Sequence, residues 1–122
     1  MKKSSHTKGR EAEDEAVKFL KEKGYTILER NWRYSRNELD IIAKADNTIR
    51  IVEVKSRANE DYGSPTESVD YKKRRIIVET ADHFMSKFSE DLEVRFDIIG
   101  VIINGGKTKI EYFPDAFTSY EI

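Results

Sequence analysis

Apolar and polar positions change period several times along the chain, and each change marks an element. From Arg10 to Lys23, Ala16, Val17 and Leu20 fall on one stripe, with Ala12 and Phe19 beside it. That spacing predicts an amphipathic helix, and Gly24 stands where a helix-ending glycine belongs. The period then shortens. Tyr25–Arg33, Leu39–Lys44 and Ile49–Lys55 read as strands, separated by polar turns at 34–37 and 45–48. After a loop over Asn59–Ser64, the run Ser64-Pro65-Thr66-Glu67 matches a capping box with proline at the first helical position. Asp70 is an equally good cap, so the second helix has alternative starts. It is predicted to run to about Phe88, with Ile77, Ala81, Phe84 and Phe88 on one face. Phe96–Ile103 is a strongly apolar strand, and Asn104-Gly105-Gly106 turns it back into a hairpin with Thr108–Phe113.

The predicted order is αβββαββ. In the strand over Ile49–Val54, Ile49 and Ile51 alternate with Val52 and Val54, so both of its faces are apolar. Such a strand is central and covered on both sides. The fold expected is a three-layer α/β/α sandwich with a mixed central sheet.

Composition narrows the function classes. The chain has 122 residues, one domain's worth, and at that size a core forms without staples. With 22 Lys+Arg against 23 Asp+Glu, it is not a polycation that holds nucleic acid by bulk charge. A local basic patch beside a local acidic site stays open. The absence of cysteine excludes disulfides, thiolate nucleophiles, Cys-ligated zinc and iron–sulfur clusters. No apolar run follows the basic residues of Met1–Glu15, and no stretch is long enough for a bilayer. The expectation is a soluble, cytoplasmic protein with no membrane partner. Residues 1–8 are expected to be a flexible basic arm, and residues 9–122 a single domain.

Charged residues then appear where the pattern wants apolar ones. Glu13 lies on the core side of its helix, ahead of Ala16, Val17 and Leu20. Taken alone, it is a first-turn acid that suits the helix dipole. The hairpin says more. A turn centred between Asp46 and Asn47 pairs Ile42 with Ile51, Ile41 with Val52, and Leu39 with Val54. The same register sets Asp40 opposite Glu53. Like charges across a strand pair repel, and burying both costs more. Lys55, two residues on and on the same face as Glu53, is one ammonium against several carboxylates. A divalent cation would balance them. Magnesium is a hard ion that takes oxygen ligands, and Asp40, Glu53 and the Val54 carbonyl could form a half-shell. The competing reading is a surface salt-bridge ladder of Asp40, Glu53, Lys55 and Glu38. The register and the apolar flanks weigh against it.

Asp40 followed twelve residues later by Glu53-Val54-Lys55 resembles the PD-(D/E)xK signature of the restriction-endonuclease-like superfamily. Further positions follow the YraN-like family of small bacterial proteins. They are Gly9-x-x-x-Glu13-x-x-Ala16, Gly24-Tyr25, Arg30-Asn31, the run Glu38 to Ala43, Val52-Glu53-Val54-Lys55-x-Arg57, Tyr62-Gly63, Lys73, Arg95-Phe96-Asp97 and Ala116-Phe117. Ala12 and Asn37 stand where that family usually has glycine. The layout is similar to that of archaeal Holliday-junction resolvases, which place a helix glutamate beside the aspartate and the Glu-x-Lys. The resemblance implies a restriction-endonuclease-like fold and a nuclease site of Glu13, Asp40, Glu53 and Lys55. In that site Asp40, Glu53 and the Val54 carbonyl hold Mg2+ or Mn2+, and Glu13 joins through water.

The densest basic run is Lys72-Lys73-Arg74-Arg75. It is either a solvated helix face or a set of phosphate contacts near a helix N-terminus. Lys73 lies on the side of Ile77 and Phe84, toward the sheet. Arg33, Arg36 and Arg57 fall in loops near the proposed site. Trp32 and Tyr34 are candidates for base stacking, although a partly buried core tryptophan is the simpler reading. Asp97 is expected to pair with Arg95 or a backbone group. His6 and His83 receive no role. The leading expectation is a magnesium-dependent endonuclease acting on DNA, with branched DNA as one substrate class and a homodimer left open. The alternatives are a non-cutting nucleic-acid-binding accessory module of the same fold, and an interaction domain whose charges form a plain salt-bridge network.

Overall fold

The first helix, α1, spans Ser5–Glu22 and is followed by strands β1 (Thr26–Tyr34), β2 (Asn37–Ala45) and β3 (Thr48–Arg57). A short 3-10 turn over Pro65–Ser68 leads into helix α2 (Tyr71–Met85), then strands β4 (Glu93–Asn104) and β5 (Lys107–Phe117). These elements come from a computed structural model that describes residues 5–59 and 63–121. The strands form a single five-stranded sheet in the order β1-β2-β3-β4-β5. Neighbours are antiparallel except β3 and β4, which run parallel. A parallel pair needs a crossover, and α2 provides it. The expected αβββαββ order and mixed α/β/α sandwich are the ones found, and they match the restriction-endonuclease-like topology.

The two faces of β3 explain the layers. Ile49 and Ile51 belong to a cluster with Ile77, Val78, Ala81 and Phe84 of α2 and Phe96 and Ile98 of β4. Val52 packs on the other side with Ala12, Ala16, Val17 and Leu20 of α1 and Ile99 and Val101 of β4. Each fully buried Leu, Ile or Phe side chain stabilises by roughly 1.5–3 kcal/mol, so the two clusters pin a helix to each face.

Several boundaries differ from expectation for local reasons. Helix α1 begins at Ser5, not Arg10, so residues 5–8 are helical. Residues 1–4 of the expected arm lie outside the described residues, as does Tyr62. The apolar stripe starts only at Ala12, so the pattern could not reveal the earlier turns. Both candidate caps are used. Ser64 accepts from the Thr66 amide and opens the 3-10 turn, and Asp70 accepts from the Lys73 amide at 2.9 Å and opens α2. Helix α2 ends at Met85, short of Phe88, whose ring still packs on Phe84 with centroids 5.4 Å apart. On β4, Gly100 lies beneath the 3-10 turn. A Cβ there would come within 2.4 Å of Pro65 Cγ, so glycine lets the start of the crossover rest directly on the sheet.

Candidate active site

The β2–β3 ladder runs from Ala45–Thr48 to Ile41–Val52 in the register expected, and it stops there. Asp40 and Glu53 are therefore not a ladder pair, which corrects the direct cross-strand opposition expected from the register. Instead the Val54 amide donates to Asp40 Oδ2 at 2.8 Å. A side-chain carboxylate takes the place of a backbone acceptor, a substitution aspartate's short side chain favours. Leu39 and Ile42 both pack on the α2 side, while Ile41 between them packs on the α1 side. Strict alternation would put Leu39 with Ile41, so the irregularity is centred on Asp40. The site is the fork where β2 leaves β3.

Side chains from both layers reach that fork. Carboxylate oxygens of Glu13 on α1, and of Glu38 and Asp40 on β2, all lie within 4.8 Å of one another. Asn31 on β1 holds part of this cluster, its amide nitrogen donating to Glu13 Oε2 at 3.0 Å and to Glu38 Oε1 at 2.7 Å. Its φ is +51°, a backbone state that asparagine tolerates better than most residues. Glu53 of β3 lies near enough for the Asp40 charge to act on it. From α2, Lys73 Nζ comes to 3.8 Å from Glu53 Oε1.

The electrostatics are unbalanced. Burial, then the Asp40 charge, push Glu53 up to about 8, against the pull of Lys73 and Lys55. Burial also pushes Asp40 up to about 6, assisted by Glu13 and Glu38 and opposed by the Val54 amide and Lys73. Near neutral pH the pair therefore retains a proton. An all-oxygen cluster short of positive charge fits a hard divalent cation, so the donor set matches the metal expected here. Glu38, named from the sequence only in the competing salt-bridge ladder and given no ligand role, belongs with the ligand candidates.

Residues 12–101 match the family described as "Uncharacterised protein family UPF0102". The chain belongs to the UPF0102 family. It is 45% identical over 109 residues to a UPF0102 protein of Flavobacterium psychrophilum, covering 89% of this chain and 92% of that one. To a UPF0102 protein of Prosthecochloris aestuarii it is 44% identical over 119 residues, covering 92% and 94%. To that of Persephonella marina it is 48% identical over 101 residues, covering 82% and 87%. The UPF0102 fold seen here resembles the PD-(D/E)xK superfamily.

The nominated basic residues of this UPF0102 chain go to different tasks. Lys73 reaches into the site. Arg74 donates to the carbonyls of Val69 (2.7 Å) and Thr66 (3.0 Å) and lies over the Phe117 ring, tying the 3-10 turn to α2. Arg75 pairs along the helix with Glu79. Arg57 pairs with Glu111 at 2.6 Å, and its Nε and Nη1 are buried without a partner among the described residues. Lys72 and Arg36 are exposed, and Lys55 is half-buried. Trp32 is a partly buried member of the α2-side core, and Tyr34 stacks on His83 at 3.8 Å. Asp97 does receive a backbone bond, from the Asp115 amide, but its cationic partner is Arg50 at 2.9 Å rather than Arg95. Among the described residues no helix is long and apolar enough to cross a membrane.

Proposed function

We propose that this protein is a divalent-metal-dependent endonuclease that hydrolyses DNA phosphodiester bonds. Branched DNA, the substrate of the resolvases it resembles, is the first to test. One observation carries the reading. At the β2–β3 fork, carboxylate oxygens of Glu13, Glu38 and Asp40 converge within 4.8 Å of one another, and the Asp40 charge acts on the buried Glu53 carboxyl beside them. No structural gain explains burying acids against one another.

Asp40, Glu53 and the Val54 carbonyl, with Glu13 and Glu38 alongside, would hold Mg2+ or Mn2+. The ion would polarise the phosphate and make water a stronger acid. Lys55, on the same strand face as Glu53, orients the attacking water and stabilises charge growing on the phosphate oxygens. Asn31 keeps Glu13 and Glu38 turned inward by its amide bonds. Lys73 partly offsets the Glu53 charge before substrate arrives. Exposed Lys72 and Arg36, with Lys73 at Glu53, are the phosphate contacts proposed, while Arg74 and Arg57 are tied to Val69, Thr66 and Glu111. The setting proposed for this work is the cytoplasm.

The test is cleavage of duplex, single-stranded, flap and four-way DNA by nuclease-free protein with magnesium or manganese. Lys55→Ala should lose about 100-fold or more in turnover, the scale of removing one transition-state donor, with little loss of DNA affinity. Asp40→Asn should lose turnover and calorimetric metal binding together. Binding without cleavage of any substrate would favour the non-cutting accessory module. A Lys55→Ala protein as fast as wild type would show that the site is misassigned.

A further inference from the structure

A groove of about 600 Å³ opens between α1 and β1, on the far side of the carboxylate cluster from Lys72 and α2. Its charged lining is Arg10, Arg30 and Arg33 against Glu13, Asp14 and Glu38. Each sign is represented three times, so the groove has no net attraction for an anion. The pairing is specific. Arg33 Nη2 lies 3.1 Å from Glu38 Oε2. Arg30 Nη2 lies 2.7 Å from Asp14 Oδ1 and 3.8 Å from Glu13 Oε1.

Two of those three acids, Glu13 and Glu38, also belong to the cluster around Asp40. An ion held there competes with Arg30 and Arg33 for the same carboxylates. The arginines are poorly placed to resist, since the Arg33 side chain is 76% exposed and an exposed ion pair is typically worth only about 0–1 kcal/mol. Once the cation takes the carboxylates, the groove carries two positive charges more than before. The Arg33 guanidinium then turns to solvent as a planar fork that matches phosphate oxygens.

We propose that this groove is the track for a nucleic-acid phosphate backbone, opened by cation binding at Glu13, Glu38 and Asp40, which releases Arg33 from Glu38 while Arg30 stays paired with Asp14. The proposal rests on the nucleic-acid reading above and adds a second face to it. Metal and DNA binding are then thermodynamically linked, each strengthening the other by the same factor.

The experiment measures fluorescence anisotropy of labelled duplex and four-way DNA with the full chain, in EDTA or in Ca2+, over a salt series. Calcium favours oxygen ligands and makes binding measurable without cleavage as the readout. Wild type should bind about tenfold tighter in Ca2+, within the range of typical couplings. The Arg10→Ala/Arg33→Ala double variant, altered at exposed positions, should lose most of that gain. Its salt slope should be shallower by about 2, at about 0.9 for each phosphate no longer neutralised. Glu38→Gln should bind DNA several-fold tighter than wild type in EDTA, because Arg33 is released without metal. A groove that is only a solvated surface predicts none of these changes. The proposal is overturned alone if wild type binds DNA but the double variant matches its affinity and slope in Ca2+, or if Ca2+ leaves wild-type affinity unchanged. If wild type binds no DNA in either buffer, the nucleic-acid reading falls with it.

Discussion

Asp97 and Glu53 are buried acids in adjacent parts of one sheet, and Glu53 has the half-buried Asp40 beside it. Asp97 on β4 lies beside Val52 of β3, one residue before Glu53. Asp97 is 0% exposed and Glu53 6%. Around Asp97 every contact donates: Arg50 at 2.9 Å, the Tyr112 hydroxyl at 2.6 Å and the Asp115 amide at 2.9 Å. Burial, then the bond to Asp97, push the Tyr112 phenol up, so it stays a donor. Around Asp40 the close groups include the carboxylates of Glu13 and Glu38, and the cation on Glu53, Lys73, is 3.8 Å away. A buried acid with matched donors is a structural tie. A pair short of them is where the proposed cation would supply the missing charge.

The comparison can be broken most sharply at its structural end. Asp97→Ala leaves Arg50, the Tyr112 hydroxyl and the Asp115 amide without their acceptor. Removing one partner of a buried pair costs about 3–5 kcal/mol, which urea unfolding should register. At the other end, Glu53→Gln removes a carboxyl that must take up a proton to be buried at neutral pH, so stability there should rise by about 1–2 kcal/mol, by analogy with other buried ionisable groups replaced. The pH dependence gives the sign. Glu53 is raised from 4.5 to about 8 and Asp40 from 3.8 to about 6. Between those limits the folded chain therefore binds more protons than the unfolded one. Wild-type stability should fall as pH rises from about 4 to about 8, and Glu53→Gln should flatten the upper part of that slope in unfolding curves. Lys73→Ala has the smallest effect. Its ammonium is 41% exposed, so stability should change by less than about 1 kcal/mol. Carboxyl NMR titration should show Glu53 moving still higher.

What could be read from the chain follows from how local each feature is. The hairpin register was legible because Ile41, Ile42, Ile51 and Val52 can pair in only one way that keeps every apolar side chain covered. The inward lean of Lys73 was legible from Ile77 and Phe84 on the same helical face. The early turns of α1 were not, because residues 5–11 bring no apolar stripe. Glu38 was misjudged for a different reason. Strict alternation along β2 is broken at Asp40, and an irregularity set by one side-chain-to-backbone bond leaves no mark in a periodic pattern. Asn31 was visible only as part of a resemblance. Its interpolated position opposite Asp40, between Arg30–Ile41 and Trp32–Leu39, was available as a signal, but its positive φ was not.

The broken ladder has one more consequence, for spectroscopy. Most strand amides in the sheet interior owe their hydrogen bonds to carbonyls, which do not titrate. The Val54 amide owes its bond to Asp40, which does. Its proton resonance and its exchange with deuterated solvent thus follow the ionisation of that carboxyl, and change when an ion claims the same oxygen. One backbone signal, away from the solvent and needing no added label, serves as an internal gauge of the site's charge state.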